Sequence, residues 1–206
     1  MTKVEKRAHV FARDELDWYV ESESCTLALL RAEKFYGTIY DPACGQGNVV
    51  EACRSKGLFA FGSDVVRRAE GRDPWFTGVC DFLADDLAVV CDSIIMNPPF
   101  FKAKGTEAFI RRALTIARHK VAVFTDVKFL AGGKRAVGLY AEHPPSRVWI
   151  LSPRPSCPPG EWLKAGNKAG GGTADWCWMV WDLTAPASET QIRWLRIFPE
   201  QIEAAA

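Results

Sequence analysis

The sequence predicts an α/β fold in which helices cover both faces of a mostly parallel sheet. Short apolar runs such as 94–96 and 121–124 have the length and the β-branched content of buried strands. Helical patterns alternate with these runs, and in 106–119 the apolar residues recur at the spacing of an amphipathic helix. Strands that alternate with helices in this way are typical of parallel sheets.

The predicted elements follow one another along most of the chain. Helices are expected at 25–37, 49–56 and 106–119, and another is expected to begin at 129. Strands are expected at 38–40, 58–64, 78–82, 94–96, 121–124, 147–151, 176–181 and 191–198. The segment 152–172 is rich in Pro, Gly and Lys and exceeds the usual loop length, so we expect it to be functional or partly disordered.

Length and charge limit the organisation of the chain and its partners. With 206 residues, of which 48% are apolar, the chain is long enough for one domain. We expect a flexible N-terminal arm at 1–15 and a single domain at 16–200. The formal net charge is +1, so any nucleic-acid binding would depend on a local basic patch rather than on a global field.

Cysteine usage and hydropathy indicate the compartment. The seven cysteines form no Cys-x-x-Cys pair, and an odd number at irregular spacing favours reduced thiols in the cytoplasm. With only three histidines, no metal site is expected. Residues 1–13 lack the apolar stretch of a signal peptide, and no apolar run has membrane-spanning length, so no membrane association is expected.

The stretch 41–48, Asp-Pro-Ala-Cys-Gly-Gln-Gly-Asn, lies between a predicted strand and a predicted helix. Gly45 and Gly47 allow a sharp turn and a close approach of the backbone to a ligand, and the helix N-terminus adds N–H donors. The glycine spacing differs from that of a dinucleotide fingerprint, and no Lys-Ser or Lys-Thr pair follows as in a phosphate loop. The loop begins with a carboxylate, Asp41, which we expect beside a cationic group.

Two further acids follow predicted strands. Asp64 comes 17 residues after Gly47 and is placed to accept both hydroxyls of a ribose. Asp81 is placed to accept from an adenine amino group, with Phe82 against the ring. Each acid alone is explained as well by a turn or a helix cap. Together with the glycine loop they suit a ligand with a ribose, an adenine and a positive charge but no phosphate, which is the profile of S-adenosylmethionine.

A stiff turn, Asn97-Pro98-Pro99-Phe100, follows the strand predicted at 94–96. The prolines end the strand because neither can donate a backbone hydrogen bond. The turn therefore presents an amide, carbonyls without competing N–H groups and an aromatic ring at the carboxyl end of a strand, where ligands bind in open α/β sheets. By itself this stretch is equally consistent with a Pro-rich loop.

The glycine loop at 41–47 followed by Asn97-Pro-Pro-Phe resembles the class I S-adenosylmethionine-dependent methyltransferases, specifically the DNA N6-adenine enzymes with the gamma order of motifs. The patterns at 154–156, 170–173 and 178–181 are similar to those of small phage or prophage enzymes. The resemblance implies a Rossmann-like fold with a mostly parallel seven-stranded sheet and an antiparallel strand near the C-terminus. About a hundred residues follow Phe100 and the core needs most of them, so no separate target-recognition domain is expected.

The resemblance further implies roles for individual residues. Asn97 and the Pro98 carbonyl would accept hydrogen bonds from an exocyclic amine, which Phe100 would hold by stacking, and no covalent enzyme intermediate is needed. The catalytic residues implied are Asn97, Pro98, Pro99 and Phe100. The cofactor-binding residues implied are Trp18, Tyr19, Val20, Asp41, Pro42, Ala43, Cys44, Gly45, Gly47, Asn48, Asp64, Val65, Asp81 and Phe82.

DNA is the substrate that the resemblance favours, with the target base flipped out of the duplex or presented in a single strand. Lys102, Lys104 and Arg154 are the predicted nucleic-acid contacts. Two alternatives stay open. One is the same chemistry on RNA adenine or on a protein glutamine amide. The other is a non-catalytic methyltransferase-like module that binds nucleic acid, although its expected mark, damage to the two motifs, is absent from the sequence.

Overall fold

The computed structural model describes residues 16–69, 73–84, 89–101 and 104–197. The predicted arm at 1–15, the predicted contact Lys102 and the end of the predicted domain at 198–200 lie outside the described residues. That residues 16–200 form a single domain stays a prediction.

Strands and helices alternate as the sequence predicts. The strands are β1 (Thr38–Asp41), β2 (Phe59–Asp64), β3 (Phe76–Val79), β4 (Ser93–Met96), β5 (Lys120–Asp126), β6 (Arg147–Ser152), β7 (Trp176–Asp182) and β8 (Gln191–Arg196). The helices in the described ranges are α1 (Glu23–Ala32), α2 (Asn48–Ser55), α3 (Lys104–Ile116), α4 (Gly133–Val137), α5 (Leu139–Glu142) and α6 (Gly160–Lys164), and a 3-10 helix spans Val127–Ala131.

The strands form one sheet in the order β3-β2-β1-β4-β5-β7-β6-β8. The strands from β3 to β5 pair in parallel, and β7 is antiparallel to both of its neighbours. The resemblance implies seven strands, and this number is wrong, because β8 pairs in parallel with β6 and adds an eighth strand at the edge of the sheet. The antiparallel strand near the C-terminus is confirmed.

Both faces of the sheet are covered. Alternate residues of β4 enter two different cores, with Ile95 facing the core that contains α1 and α2 residues and Ile94 facing the one that contains α3 residues. In β5, Phe124 and Val123 divide between the same two cores. Because both faces are buried, these central strands are continuously apolar rather than alternating.

Two predicted boundaries near the turn and the third strand are wrong. The third strand ends at Val79 rather than at residue 82, because the Asp81 carboxylate accepts a hydrogen bond from the backbone N–H of Leu83 at 2.9 Å and closes a turn there. The helix predicted at 106–119 starts earlier, since α3 already begins at Lys104. Asp81 therefore follows β3 instead of ending it.

The segment 152–172 is tied to the aromatic stretch at 18–20. The N–H of Val20 donates to the Pro158 carbonyl, and the N–H of Gly160 donates to the Trp18 carbonyl, each at 2.9 Å. A Cβ at position 160 would overlap the Trp18 ring, so this contact requires glycine. Within the long segment, the first residue of α6, Gly160, therefore packs directly against the aromatic stretch.

The end of α1 is fixed to the sheet by one buried acid. Glu33 accepts hydrogen bonds from Lys120 Nζ at 2.9 Å, from Trp149 Nε1 at 3.0 Å and from the Arg147 guanidinium. These partners lower the pKa of Glu33 against the opposing effect of burial. The network connects α1 with β5 and β6.

Replacing Glu33 with Ala is expected to lower the free energy of unfolding by about 3 kcal/mol, because it leaves buried cations without their acid. Urea denaturation of wild type and variant at neutral pH measures this. Glu142→Ala, which removes an exposed pair with Arg111, is the matched control and should change stability little. Equal effects of the two substitutions would show that the Glu33 network is not specially stabilising.

Candidate functional site

Polar side chains gather at one edge of the sheet because four neighbouring parallel strands end there. Asp41 ends β1 and Asp64 ends β2, while Asp81 and Asn97 come shortly after β3 and β4. The four strands are adjacent in the order β3-β2-β1-β4, so their carboxyl ends lie side by side. This edge is where open α/β sheets bind ligands.

A cavity of about 270 Å³ opens at this edge. Its walls come mainly from the glycine loop, the segment 16–21 and the residues after β2, β3 and β4. The predicted cofactor-binding and catalytic residues that line it are Trp18, Tyr19, Val20, Asp41, Pro42, Ala43, Cys44, Gly45, Asn48, Asp64, Val65, Asp81, Phe82, Asn97 and Pro99. The predicted residues Gly47, Pro98 and Phe100 are not part of the wall.

The glycine loop needs both of its glycines. Gly45 and Gly47 have φ angles of 53° and 100°, in the left-handed region that side chains disfavour. A Cβ at Gly45 would lie 2.8 Å from Trp18 Nε1, and one at Gly47 would overlap the Trp75 ring. Gly47 is therefore needed so that the Trp75 ring can pack against the loop, and it does not line the cavity.

Asp64 holds the glycine loop in place. One carboxylate oxygen accepts from the N–H of Gly45 at 2.9 Å. The other accepts from the N–H of Val66 at 3.0 Å and from the Arg68 guanidinium at 2.7 Å. Both oxygens thus have protein partners, and the predicted contact with a ribose would use the remaining acceptor capacity of the carboxylate.

Two acids in the cavity wall are buried without a basic partner among the described residues. Asp41 accepts a hydrogen bond from the N–H of Ala43 at 3.0 Å, and burial raises its pKa well above the ordinary value. Burial also raises the pKa of Glu21 to about 7, against the opposing effect of its hydrogen bonds. The Glu21 carboxylate also contributes to the raised pKa of Asp41, and a cation in the cavity would stabilise both carboxylates.

Asn97 donates both hydrogens of its amide to the protein. Its Nδ2 lies 2.9 Å from the Tyr19 carbonyl oxygen and 2.5 Å from a Glu21 carboxylate oxygen. Its Oδ1 is buried and has no hydrogen-bond partner among the described residues. A buried acceptor without a partner is unusual in a native protein and marks a place for a missing donor.

Aromatic residues divide between the cavity and an adjoining cluster. The Phe100 ring lies between those of Tyr19 and Trp176, with centroids 6.0 and 5.8 Å away. The next residue, Phe101, has a φ of 37° and lines the cavity instead. Phe82 is buried, with its ring 5.1 Å from that of Phe109.

Two of the three basic residues predicted to contact nucleic acid, Lys104 and Arg154, lie outside the cavity wall. Lys104 is exposed at the start of α3. Arg154 is exposed and forms an ion pair with Asp175 at 2.6 Å. Lys102 lies outside the described residues. The structure thus leaves these contacts as predictions.

Sequence reasoning missed Glu21 and Arg68. Glu21 directly follows the aromatic stretch, and its acidic side chain at that position was the signal that could have identified it. Arg68 lines the cavity, pairs with Asp64 and lies 4.8 Å from the Trp18 ring, yet no motif includes it. Both depend on contacts between segments that are distant in the sequence.

Cys44 is not equipped as a nucleophile. Its thiol is buried, and burial together with the nearby Asp41 and Asp64 carboxylates raises its pKa. A nucleophilic cysteine requires the opposite shift, because the thiolate is the reactive form. All seven cysteines are free.

In the described ranges, no group of three or more His, Cys, Asp or Glu side chains is arranged to hold a metal ion. Among the same residues, no helix has the length and apolar character needed to cross a membrane.

Comparison with known proteins identifies the fold. Neither the family models nor the curated proteins match this sequence. A proposed RNA methyltransferase from Pyrococcus horikoshii is similar, with a TM-score of 0.55 and 16% identity over 77% of this chain and 82% of that one. The modification subunit of a proposed type I restriction enzyme from Vibrio vulnificus has a TM-score of 0.56 and 12% identity over 88% of this chain. This chain spans 48% of that subunit. The predicted Rossmann-like methyltransferase fold is confirmed.

Replacing Glu21 with Gln is expected to stabilise the protein, and increasingly so as the pH rises. The folded protein keeps the Glu21 proton up to pH about 7, above the ordinary value of 4.5, so wild-type stability falls as the pH rises between these values. Gln removes this loss, which amounts to about 3 kcal/mol at pH 8. Denaturant unfolding at a series of pH values measures the difference.

Glu23→Gln is the matched control for this pH series. Glu23 is two residues away and exposed, so its replacement should give a small difference that does not grow with pH. A Glu21→Gln difference that is also constant with pH would contradict a raised pKa for Glu21.

Proposed function

We propose that this protein transfers a methyl group from S-adenosylmethionine to the exocyclic N6 amine of adenine in DNA. The observation that carries the proposal is the buried Asn97 Oδ1, which has no hydrogen-bond partner among the described residues. It lies beside a cavity in which those residues give Asp41 and Glu21 no basic partner. An amine donor would satisfy this oxygen, and a cation would stabilise the acids.

The residues of the cavity suit this cofactor. The cationic groups of the cofactor would pair with Asp41 and Glu21, which have no basic partner among the described residues. Its ribose and adenine would lie toward Asp64, Asp81 and Phe82, in keeping with the strand order. The cavity volume of about 270 Å³ is near the lower end for small-molecule sites.

Asn97 would act by accepting a hydrogen bond from the target amine. The lone pair of an exocyclic amine is delocalised into the ring, which makes the nitrogen a poor nucleophile. Hydrogen bonds to Asn97 Oδ1 and to the Pro98 carbonyl favour a tetrahedral nitrogen with a localised lone pair. The stiff Pro-Pro backbone limits the movement of both acceptors.

When bound, S-adenosylmethionine supplies a methyl group on a cationic sulfur. The amine that Asn97 orients would take this methyl group, the electron pair of the broken S–C bond would stay on sulfur, and the amine would release one proton to water. The protein contributes orientation and electrostatics, with no covalent enzyme intermediate. Phe100, half-buried between Tyr19 and Trp176, is the proposed stacking surface for the base.

DNA is favoured as the polymer by the resemblance of the two motifs and, more weakly, by the likeness to the restriction-enzyme modification subunit. Lys104 and Arg154 are the proposed contacts to its phosphates. The proposed compartment of the protein is the cytoplasm. The likeness to the Pyrococcus horikoshii protein supports RNA as a second candidate polymer. The same site chemistry applies to both polymers.

Expression of the protein in a host without adenine methylation is expected to place N6-methyladenine in the DNA of that host. Single-molecule sequencing reports the base, its position and its sequence context together. Vector alone is the control. Methylated RNA with unmodified DNA would select the second candidate, and a lack of methylation in both polymers would contradict the proposed activity.

Replacing Asn97 with Ala is expected to lower methyl transfer by about 100-fold or more, because the amine loses its acceptor. Cofactor affinity should change by only a few-fold, since the acids and the glycine loop remain. Rates with labelled cofactor and calorimetric titration measure the two quantities.

Gln191→Ala is the control for the Asn97 substitution. It removes an exposed amide from β8, at the far edge of the sheet, and should leave both quantities unchanged. Loss of cofactor binding together with transfer in Asn97→Ala would mean that the turn is chiefly structural.

A further inference from the structure

Glu21 is a buried acid that the predicted roles leave unused. Only 5% of its surface is exposed, and it lies between the aromatic stretch and α1. Its carboxylate accepts a hydrogen bond from Asn97 Nδ2 at 2.5 Å. Within the described part of the chain no basic side chain pairs with it. An acid that is buried in this way needs a reason other than stability.

The partners of Asn97 determine which way its amide faces. A side-chain amide has two N–H donors on nitrogen and acceptor lone pairs on oxygen. Both partners of the amide nitrogen, the Tyr19 carbonyl and the Glu21 carboxylate, are acceptors. If the amide were turned over, its oxygen would face two acceptors, which is unfavourable. Orientation of an amide is assigned from such partners.

We infer that Glu21 is a positioning residue, which holds the Asn97 amide with its oxygen toward the substrate amine. The inference rests on the proposed function and extends it to a residue outside both motifs. The carboxylate also withdraws the amide hydrogen toward itself and so increases electron density on Oδ1. A stronger acceptor at this oxygen favours the tetrahedral amine.

The groups that face Glu21 are acids and thiols. Asp41, Cys25 and Cys157 interact electrostatically with it. Burial raises the pKa of Cys25 to about 12 and that of Cys157 well above its ordinary value, so both thiols stay neutral near pH 7. Glu21 itself ionises near pH 7, and the Asn97 amide should respond to that ionisation.

NMR tests this coupling without any need for activity. In the wild-type protein the side-chain amide signal of Asn97, assigned by its loss in Asn97→Ala, is expected to titrate with a midpoint near the Glu21 pKa of about 7. In Glu21→Gln this titration should vanish, while the exposed control Glu23→Gln should keep it. A signal that is independent of pH, or that titrates alike in Glu21→Gln, would overturn the inference.

Kinetics test the consequence for the reaction. Glu21→Leu removes the acceptor and is expected to lower kcat by about 10- to 100-fold, with KM for DNA nearly unchanged. Glu21→Gln keeps an acceptor oxygen and should recover most of kcat. Its kcat should lack the increase through neutral pH that ionisation of Glu21 is expected to give the wild type. A Leu variant with wild-type kcat would contradict the inference.

The two ideas fail in different ways. If the wild-type protein methylates neither DNA nor RNA, the proposed function is lost, while the NMR titration still decides whether Glu21 orients Asn97. If the wild type is active and Glu21→Leu binds the cofactor more weakly but keeps the wild-type kcat at saturating cofactor, Glu21 only binds the cofactor and the inference is wrong. The calorimetric titration used for Asn97→Ala separates these cases.

Discussion

The hydrogen bonds of the Asn97 amide join two parts of the chain that are far apart in sequence. They connect the end of the central strand β4 with Tyr19 and Glu21, in the segment before α1. The cavity lies between this segment and the glycine loop, so the connection lies beside it. The same bonds leave Asn97 Oδ1 without a donor among the described residues. One contact thus joins two segments beside the cavity and orients a polar group there.

Buried acids account for the electrostatic character of the site. Asp64 pairs with Arg68 and holds the glycine loop, whereas Asp41 and Glu21 lie in the same wall with no cationic partner in the described part of the chain. Buried ionised carboxylates without a cationic partner destabilise the free protein at neutral pH, and a cationic ligand would reduce this electrostatic cost. Stability is commonly sacrificed in this way at functional sites. The arrangement therefore fits binding of a sulfonium cofactor better than a purely structural role.

Local patterns were sufficient for the fold, and most of the residues that they single out line one cavity. The apolar runs, the two glycines with positive φ and the Asn-Pro-Pro turn predict conformations from short stretches of sequence, and the fold that they predict is confirmed. Glu21 could not be assigned from sequence because its hydrogen-bond partner Asn97 lies 76 positions away. Likewise, the positive φ of Phe101 brings that ring, rather than Phe100, to the cavity wall. The predicted roles of the site residues stay predictions.

A crystal structure with S-adenosylhomocysteine bound is the most direct test of the account. We expect the ligand in the cavity between the glycine loop and segment 16–21, in contact with Asp41 and Asp64. We also expect the Asn97 amide to keep its hydrogen bonds to Tyr19 and Glu21, with Oδ1 accepting no hydrogen bond from the protein. A ligand bound elsewhere, or an Asn97 amide turned so that its oxygen faces Glu21, would contradict it.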